Sequence, residues 1–259
     1  MNVGKMAKNK SPFKDNKELK QDIQRFLNTH RATFLQEIDR TSAYFELAVF
    51  NDVVRFYENN GYEVTPKNLK TKRSQFVYAL SPNVKPENAS YFHAVKKYKK
   101  KPNREFEIRH NLRIQSKHDA RIFVSPDYAI IEPESITSEK LKRYYNSKAD
   151  YFFVKAEYIA TFAETKHYNP GAELVLNFVG LVNEIMPELM SNDAPTELPK
   201  HFGPALFVSG VGNPHIRDIR ESLMDRYNIN VLLGLFAYPS QLYSVKNQIN
   251  IEKIGSKKC

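Results

Sequence analysis

Apolar residues recur at helical spacing through the N-terminal part of the chain. From about residue 18 to residue 41 the apolar positions lie mostly three or four apart: Ile23, Phe26, Leu27, Phe34, Leu35 and Ile38. A second helix is predicted from about residue 42 to residue 59, before Asn60-Gly61, with one face formed by Phe45, Val49, Val53 and Phe56. Residues 1–18 lack this periodicity, so we expect a flexible lead-in there.

The period changes to two residues after a Lys-rich run at residues 93–104. We expect that run to be an exposed loop or a helix end, and residues 62–92 show no clear pattern. A half-buried strand is predicted where polar residues alternate with Phe106, Ile108, His110, Leu112 and Ile114. Residues 121–131 predict a second strand, bent at Pro126, and residues 151–166 predict a third.

The rest of the chain alternates between helical and extended patterns. Residues 132–150, between the second and third strands, form a polar excursion with room for a short helix. The remaining predicted elements are a helix from about residue 170 to residue 187, a strand at 205–209, a helix at 214–227 and a strand at 229–236. This order predicts an α/β fold in which a central mixed β-sheet is flanked by helices.

The composition indicates what kind of partner the protein binds and in which cellular compartment it lies. Lys and Arg number 39 against 29 Asp and Glu, a net charge of +10, which favours a polyanionic partner without separating DNA, RNA and an acidic membrane surface. The single cysteine excludes an intrachain disulfide and a cysteine-based zinc site, as is typical of a reducing compartment. Since no apolar run approaches the roughly 20 residues that span a bilayer, and no secretory signal is recognisable, we expect a cytoplasmic protein without a membrane partner.

Charged residues interrupt two apolar strands. Asp127 follows Pro126 in the second strand, and Glu164, Thr165 and Lys166 end the third. Residues two apart in a strand share a face, so Glu164 and Lys166 should lie together. Buried carboxylates need a partner, and Mg²⁺ accepts such hard oxygen ligands. We therefore predict that Asp127 and Glu164 bind Mg²⁺ or Mn²⁺, with the carbonyl of Thr165 as a further ligand and Lys166 as the catalytic cation.

Pro126-Asp127 followed by Glu164-Thr165-Lys166, on consecutive strands of an α/β unit preceded by helices, resembles the PD-(D/E)xK, or restriction-endonuclease-like, superfamily. The resemblance implies a restriction-endonuclease-like core and metal-dependent endonuclease cleavage of phosphodiester bonds, in DNA more often than in RNA. It also implies a metal-binding role for Glu46, on the helix before the first strand. The long polar excursion departs from the usual tight hairpin and implies long strands or an insertion beside the site.

The expected organisation is a basic lead-in with one helix at residues 1–41, a nuclease-like domain at 42–240 and a polar tail at 241–259. Six basic residues are candidates for sequence-independent phosphate contacts: Lys96, Lys97, Lys99, Lys100, Lys101 and Arg104. By analogy, such an enzyme suits a restriction or anti-phage role, as a homodimer or with a regulatory partner.

Other interpretations stay open from the sequence. The chain could be a non-catalytic nucleic-acid-binding or assembly subunit of the same fold, or an RNA-cleaving nuclease. The charged strand ends could also be a surface ion pair in an unrelated α/β protein, and the Lys-rich run could be a solvated face.

Overall fold

The computed structural model describes residues 16–34, 41–70, 74–100, 102–140, 150–190 and 201–235. Most of the expected lead-in and the whole expected tail lie outside the described residues, as do residues 141–149 of the polar excursion and residue 236 of the last predicted strand.

A seven-stranded mixed sheet forms the centre of the described part of the chain. With strands numbered along the chain, its spatial order is β1 (Glu63–Lys67), β2 (Tyr91–Lys96), β3 (Arg104–His110), β6 (Tyr128–Ile131), β9 (Ile159–Lys166), β10 (Ala205–Val208) and β11 (Asn230–Leu232). Neighbours from β1 to β9 pair antiparallel, whereas β10 is parallel to both β9 and β11. The predicted mixed α/β architecture is therefore confirmed.

A second sheet, of four strands, is formed by other residues of the described part of the chain. Its spatial order is β5 (Phe123–Val124), β4 (Ile114–Gln115), β8 (Tyr151–Lys155) and β7 (Ile136–Glu139). Each of the three long strands was predicted to be continuous, and this is wrong. The two halves of each belong to different sheets. The first is interrupted at Asn111, whose φ is +51°, and the third at a 3-10 turn, Ala156–Tyr158. The described part of the polar excursion contains β7 where a short helix was expected.

Four helices within the described residues cover the two faces of the main sheet. They are α1 (Asn16–Thr29), α2 (Thr41–Asn59), α3 (Ala172–Ile185) and α4 (Pro214–Arg226). The apolar sides of α1 and α2 share one core with one face of β6, and those of α3 and α4 share a second core with the other face. No helix in this part of the chain combines the length and apolarity needed to span a membrane.

The sequence pattern predicted the start of α4 correctly but not the end of α1. The first helix ends at Thr29, well before the predicted residue 41, and the chain then turns so that Thr33 bridges Gln75. By contrast, α4 begins as predicted at Pro214, because the side chain of Asn213 accepts a hydrogen bond from the amide of Ile216, 3.0 Å away.

Two strands fall where the sequence showed no clear pattern. β1 and β2 form the outer part of the sheet, and β2 continues into the first residues of the Lys-rich run. Lys96 pairs with Arg104 across the β2–β3 hairpin. The expectation of an exposed loop or helix end is therefore wrong for residues 93–96, which belong to a strand.

Candidate active site

The ends of three strands meet at one edge of the main sheet. Because β3, β6 and β9 run antiparallel in turn, the last residue of β3, the first of β6 and the last of β9 lie at the same edge. Tyr128 pairs with Ala163, which places Asp127 opposite Glu164. The amide of Asp127 donates to Oε2 of Glu164 at 3.3 Å. The two predicted carboxylates are thus neighbours in space although a second sheet separates their strands in sequence.

Asp127 is held by the residue between Glu164 and Lys166. Oδ2 of Asp127 accepts hydrogen bonds from the amide of Thr165, at 2.6 Å, and from its hydroxyl, at 2.7 Å. Thr165 is buried, and its hydroxyl also lies 3.5 Å from that of Tyr128. From the sequence, Thr165 was expected to contribute only its backbone carbonyl, so this contact of its side chain was not predicted. The only indication of it in the sequence was that a residue with a hydroxyl group lies between two predicted site residues.

Lys166 lies between the two carboxylates. Its ammonium group pairs directly with Oε1 of Glu164 and lies 3.8 Å from Oδ2 of Asp127. The shared face predicted for Glu164 and Lys166 is therefore present. About a third of the Lys166 side chain remains exposed, so its charge can reach a bound molecule.

Burial makes negative charge costly at this site. Burial, with the charge of Asp127 added, raises the pKa of Glu164 to about 7. Burial and the charge of Glu46 raise the pKa of Asp127. Burial opposes the charge of Lys166 as well, but the adjacent carboxylates outweigh it and raise the pKa of the lysine. Ionisation of both carboxyl groups would therefore leave buried negative charge that Lys166 alone does not balance, and a further cation would offset it.

Glu46 extends from α2 towards the same edge of the sheet. Its Oε1 lies 2.7 Å from Nε2 of His110 and accepts a hydrogen bond from the side-chain amide of Asn111 at 3.0 Å. Burial pushes the pKa of Glu46 upwards, but His110, Asn111 and the charge of Lys166 outweigh burial and lower it. Glu46 is thus ionised in the field of Asp127 and Lys166, while its direct contacts are with His110 and Asn111.

The alternation predicted for residues 106–114 would place His110 and Asn111 on opposite faces of one strand, and for this pair it is wrong. Asn111 leaves the strand in the left-handed conformation, which Asn adopts more readily than most residues. Strict alternation therefore stops at His110, and both side chains reach Glu46. No pattern in the sequence indicated this pairing, although an Asn at the end of an alternating segment is a typical position for a turn.

The arrangement contains two adjacent carboxylates, with a third held slightly apart. In the parts of the chain that the structure describes, no group of three or more His, Cys, Asp or Glu side chains is arranged to hold a metal ion. Metal binding by Asp127, Glu164, Glu46 and the Thr165 carbonyl stays a prediction.

The Lys-rich run lies at the other end of β3. Lys96 donates to the carbonyl of Asn60 at 2.5 Å, and Lys97 forms an ion pair with Glu63 at 2.9 Å. Lys99, Lys100 and Arg104 are exposed, and Lys101 lies outside the described residues. A seven-residue strand rises about 20 Å from end to end, so this basic surface is about that far from the carboxylates.

Comparisons of the chain with protein-family models, with curated proteins and with solved structures found no match. The functional argument therefore depends on the residues at the sheet edge and on the chemistry that they allow.

Proposed function

We propose that the protein is a Mg²⁺-dependent nuclease of the PD-(D/E)xK type, which hydrolyses phosphodiester bonds. The observation that carries the proposal is the meeting of Asp127, Glu164 and Lys166 at the ends of two hydrogen-bonded strands. The order of elements also supports a restriction-endonuclease-like core. A helix bearing Glu46 precedes β3, and α3 follows β9 after a short connection.

The donor set fits a magnesium ion. Mg²⁺ in nucleic-acid enzymes is commonly bound by one or two carboxylates together with water and phosphate oxygens. Asp127 and Glu164 would hold it, with the Thr165 carbonyl and Glu46 as further oxygen donors. The raised pKa values of both central carboxyls support this choice, because a divalent cation offsets the cost of their buried charge. When bound, such an ion polarises the scissile phosphate and lowers the pKa of the attacking water.

The protein's own groups have separate tasks in the proposed reaction. Thr165 fixes the Asp127 carboxylate through two hydrogen bonds, so this ligand needs little reorganisation. Lys166 is partly exposed, so its positive charge can stabilise the negative charge that accumulates around phosphorus during substitution. A buried site of low dielectric strengthens that interaction relative to water.

The substrate is proposed to be DNA rather than RNA, cut with relaxed sequence specificity. The exposed basic residues near the β2–β3 hairpin support contact with a phosphate backbone. A duplex that reaches both this surface and the carboxylates covers about six base pairs, from the rise of about 3.4 Å per base pair. A restriction or anti-phage role, with a second copy or a regulatory partner, belongs to the same proposal.

A cleavage assay tests the proposal directly. Plasmid DNA, single-stranded DNA and RNA are incubated with Mg²⁺, Mn²⁺ or chelator, using wild type, Asp127→Asn and Lys166→Met. We expect metal-dependent cutting in wild type and losses of about 10²–10³-fold in each variant, the typical cost of removing a group that stabilises the transition state. Lys155→Met is the matched control, because Lys155 is exposed in the second sheet and should be dispensable.

Two observations favour a second candidate, a non-catalytic nucleic-acid-binding or assembly subunit. Lys166 is paired with Glu164, and no three-residue metal cluster is assembled among the described residues. This candidate predicts salt-sensitive binding of nucleic acid with no cutting under any metal condition. Cutting of RNA alone would instead identify the substrate as RNA.

A further inference from the structure

Two side chains at the end of β3 hold the carboxylate of Glu46 through one of its oxygens. Both Nε2 of His110, at 2.7 Å, and Nδ2 of Asn111, at 3.0 Å, contact Oε1. In the described part of the chain, Oε2 of Glu46 has neither a hydrogen bond nor an ion pair. One oxygen of Glu46 is therefore fixed and the other is available for a ligand.

His110 is fixed by its own surroundings. Its Nδ1 lies 2.5 Å from the carbonyl oxygen of Ala79, and its ring stacks on Tyr128 and meets the ring of Phe50 edge-on. Because a carbonyl oxygen only accepts hydrogen bonds, Nδ1 is a donor and the ring orientation is determined. A proton also lies between Nε2 and the carboxylate of Glu46, since both atoms would otherwise be acceptors. Nε2 is then directed at Glu46, and the buried ring cannot turn away without losing these contacts.

Asn111 connects Glu46 to Asp127. Its backbone amide donates to the carbonyl of Asp127 at 2.8 Å, while its side chain donates to Glu46 and, at 2.9 Å, to the carbonyl of Ala79. A single residue thus links the carboxylate from α2 to the segment that carries the central aspartate. Tyr128 adds a second link, because its hydroxyl donates to the backbone carbonyl of Glu46.

We propose that His110 and Asn111 are positioning residues that hold Glu46 so that its second oxygen adds to the metal-binding carboxylates Asp127 and Glu164. This inference rests on the proposed function. Neither residue needs to touch the metal or the substrate. Their effect is to keep the α2 carboxylate oriented before the metal arrives, as the hydrogen-bond partners of metal ligands commonly do.

The test measures metal binding without nucleic acid, by calorimetric titration with Mn²⁺ alone, and then the Mg²⁺ dependence of cleavage. Asn111→Gly keeps the tolerance of positive φ and removes the side-chain donor without adding charge to the site. His110→Leu removes the contact, whereas His110→Gln retains an N–H group that can reach Glu46. Asn88→Gly, at an exposed position, is the matched control.

We expect Asn111→Gly and His110→Leu to weaken Mn²⁺ binding by about 10–100-fold, the usual effect of losing a partner of a metal ligand. The Mg²⁺ concentration for half-maximal cleavage should rise by the same factor, and the rate at saturating Mg²⁺ should recover to within a few-fold of wild type. His110→Gln should recover most of the affinity, and Asn88→Gly should behave as wild type.

The outcomes separate this inference from the proposed function. If Asp127→Asn abolishes Mn²⁺ binding but Asn111→Gly and His110→Leu leave its affinity unchanged, the nuclease site stands and the positioning role is overturned. A lower unfolding temperature without a change in metal affinity has the same meaning, since it assigns both residues a purely structural role. Absence of Asp127-dependent Mn²⁺ binding in wild type overturns both proposals.

Discussion

Asp127 depends on a residue that is distant in sequence and adjacent in space. Two donors of Thr165 converge on Oδ2, one from the backbone and one from the side chain. The backbone donor is available whatever residue occupies position 165, whereas the hydroxyl donor is specific to Thr or Ser. The contribution of this single hydroxyl can therefore be isolated by mutation.

Thr165→Val keeps the shape of the side chain and removes the hydroxyl donor to Asp127. Since that donor favours the charged carboxylate, its loss should raise the pKa of Asp127 further and cost about 1 kcal/mol of unfolding free energy. The carboxyl carbon resonance of Asp127, followed by NMR against pH in the metal-free protein, reports the pKa. Urea unfolding reports the stability.

Thr161→Val on the same strand is the control with the opposite expectation. The buried Thr161 hydroxyl has no hydrogen-bond partner within the described residues, so replacing it with a methyl group should leave stability unchanged or increase it by about 1 kcal/mol. Equal effects of the two substitutions would show that the Thr165 hydroxyl does not support Asp127.

At the level of single residues, the sequence pointed to charged side chains that lie within otherwise apolar strands. The proximity of Asp127, Glu164 and Lys166 could be predicted because charges interrupt apolar strands, while their catalytic role stays a prediction. Asn111 and the hydroxyl of Thr165 could not be predicted, because their importance comes from contacts with residues far away in the chain and, for Asn111, from a positive φ that the alternating pattern concealed.

At the scale of the elements, the end of β9, which carries Lys166, is positioned by a close contact between two segments. Tyr168 and Asn169, which follow β9, lie against Gly210, which follows β10. A Cβ on Gly210 would lie 2.6 Å from Cα of Asn169 and 2.6 Å from the carbonyl oxygen of Tyr168, far inside normal contact. Gly210→Ala should therefore force the two segments apart, cost about 1–3 kcal/mol of stability and reduce cleavage by displacing Lys166.

Gly180→Ala provides the matched comparison, because a Cβ there meets no atom within 4 Å. Gly180 is an exposed residue of α3, so the same substitution should stabilise the protein by up to about 1 kcal/mol through higher helix propensity. Thermal unfolding of both variants tests the pair. Equal stability of Gly210→Ala and wild type would mean that the close approach does not constrain the strand end.

Helices whose apolar pattern lies within a single segment were predicted correctly, whereas strands that depend on pairing with distant segments were not. The apolar stripes of α2, α3 and α4 lie within one helix each and needed no tertiary information. β1 and β2 are short and become strands through their partners. The second sheet splits apparently continuous strands, and nothing in a period-two pattern shows that its two halves pair with different neighbours.

For the whole molecule, a histidine that folding buries links stability to pH through its protonation. His201 is the clearest case, because burial, with the charge of Arg104 added, lowers its pKa to about 4. Its Nδ1 lies 2.7 Å from the hydroxyl of Tyr57, and its ring meets that of Phe106 edge-on. The folded state accommodates the neutral imidazole and disfavours the charged one.

The sign of the resulting pH dependence follows from these two pKa values. In the unfolded chain a histidine titrates near about 6.5, so below that pH the unfolded state binds the proton that folded His201 refuses. The stabilisation is complete above about pH 6.5 and is lost as the pH falls towards about 4. At pH 5 the loss amounts to about 2 kcal/mol, from 1.36 kcal/mol per pKa unit.

We therefore expect wild type to lose about 2 kcal/mol more unfolding free energy than His201→Gln when the pH falls from 7.5 to 5.0. Urea unfolding at both pH values measures the difference. Burial also lowers the pKa values of His30 and His167, but these contribute equally to both proteins and cancel in the comparison. His215→Gln, at an exposed position on α4, should retain the wild-type pH dependence. Parallel stability profiles for wild type and His201→Gln would show that His201 can be protonated in the folded protein at no cost.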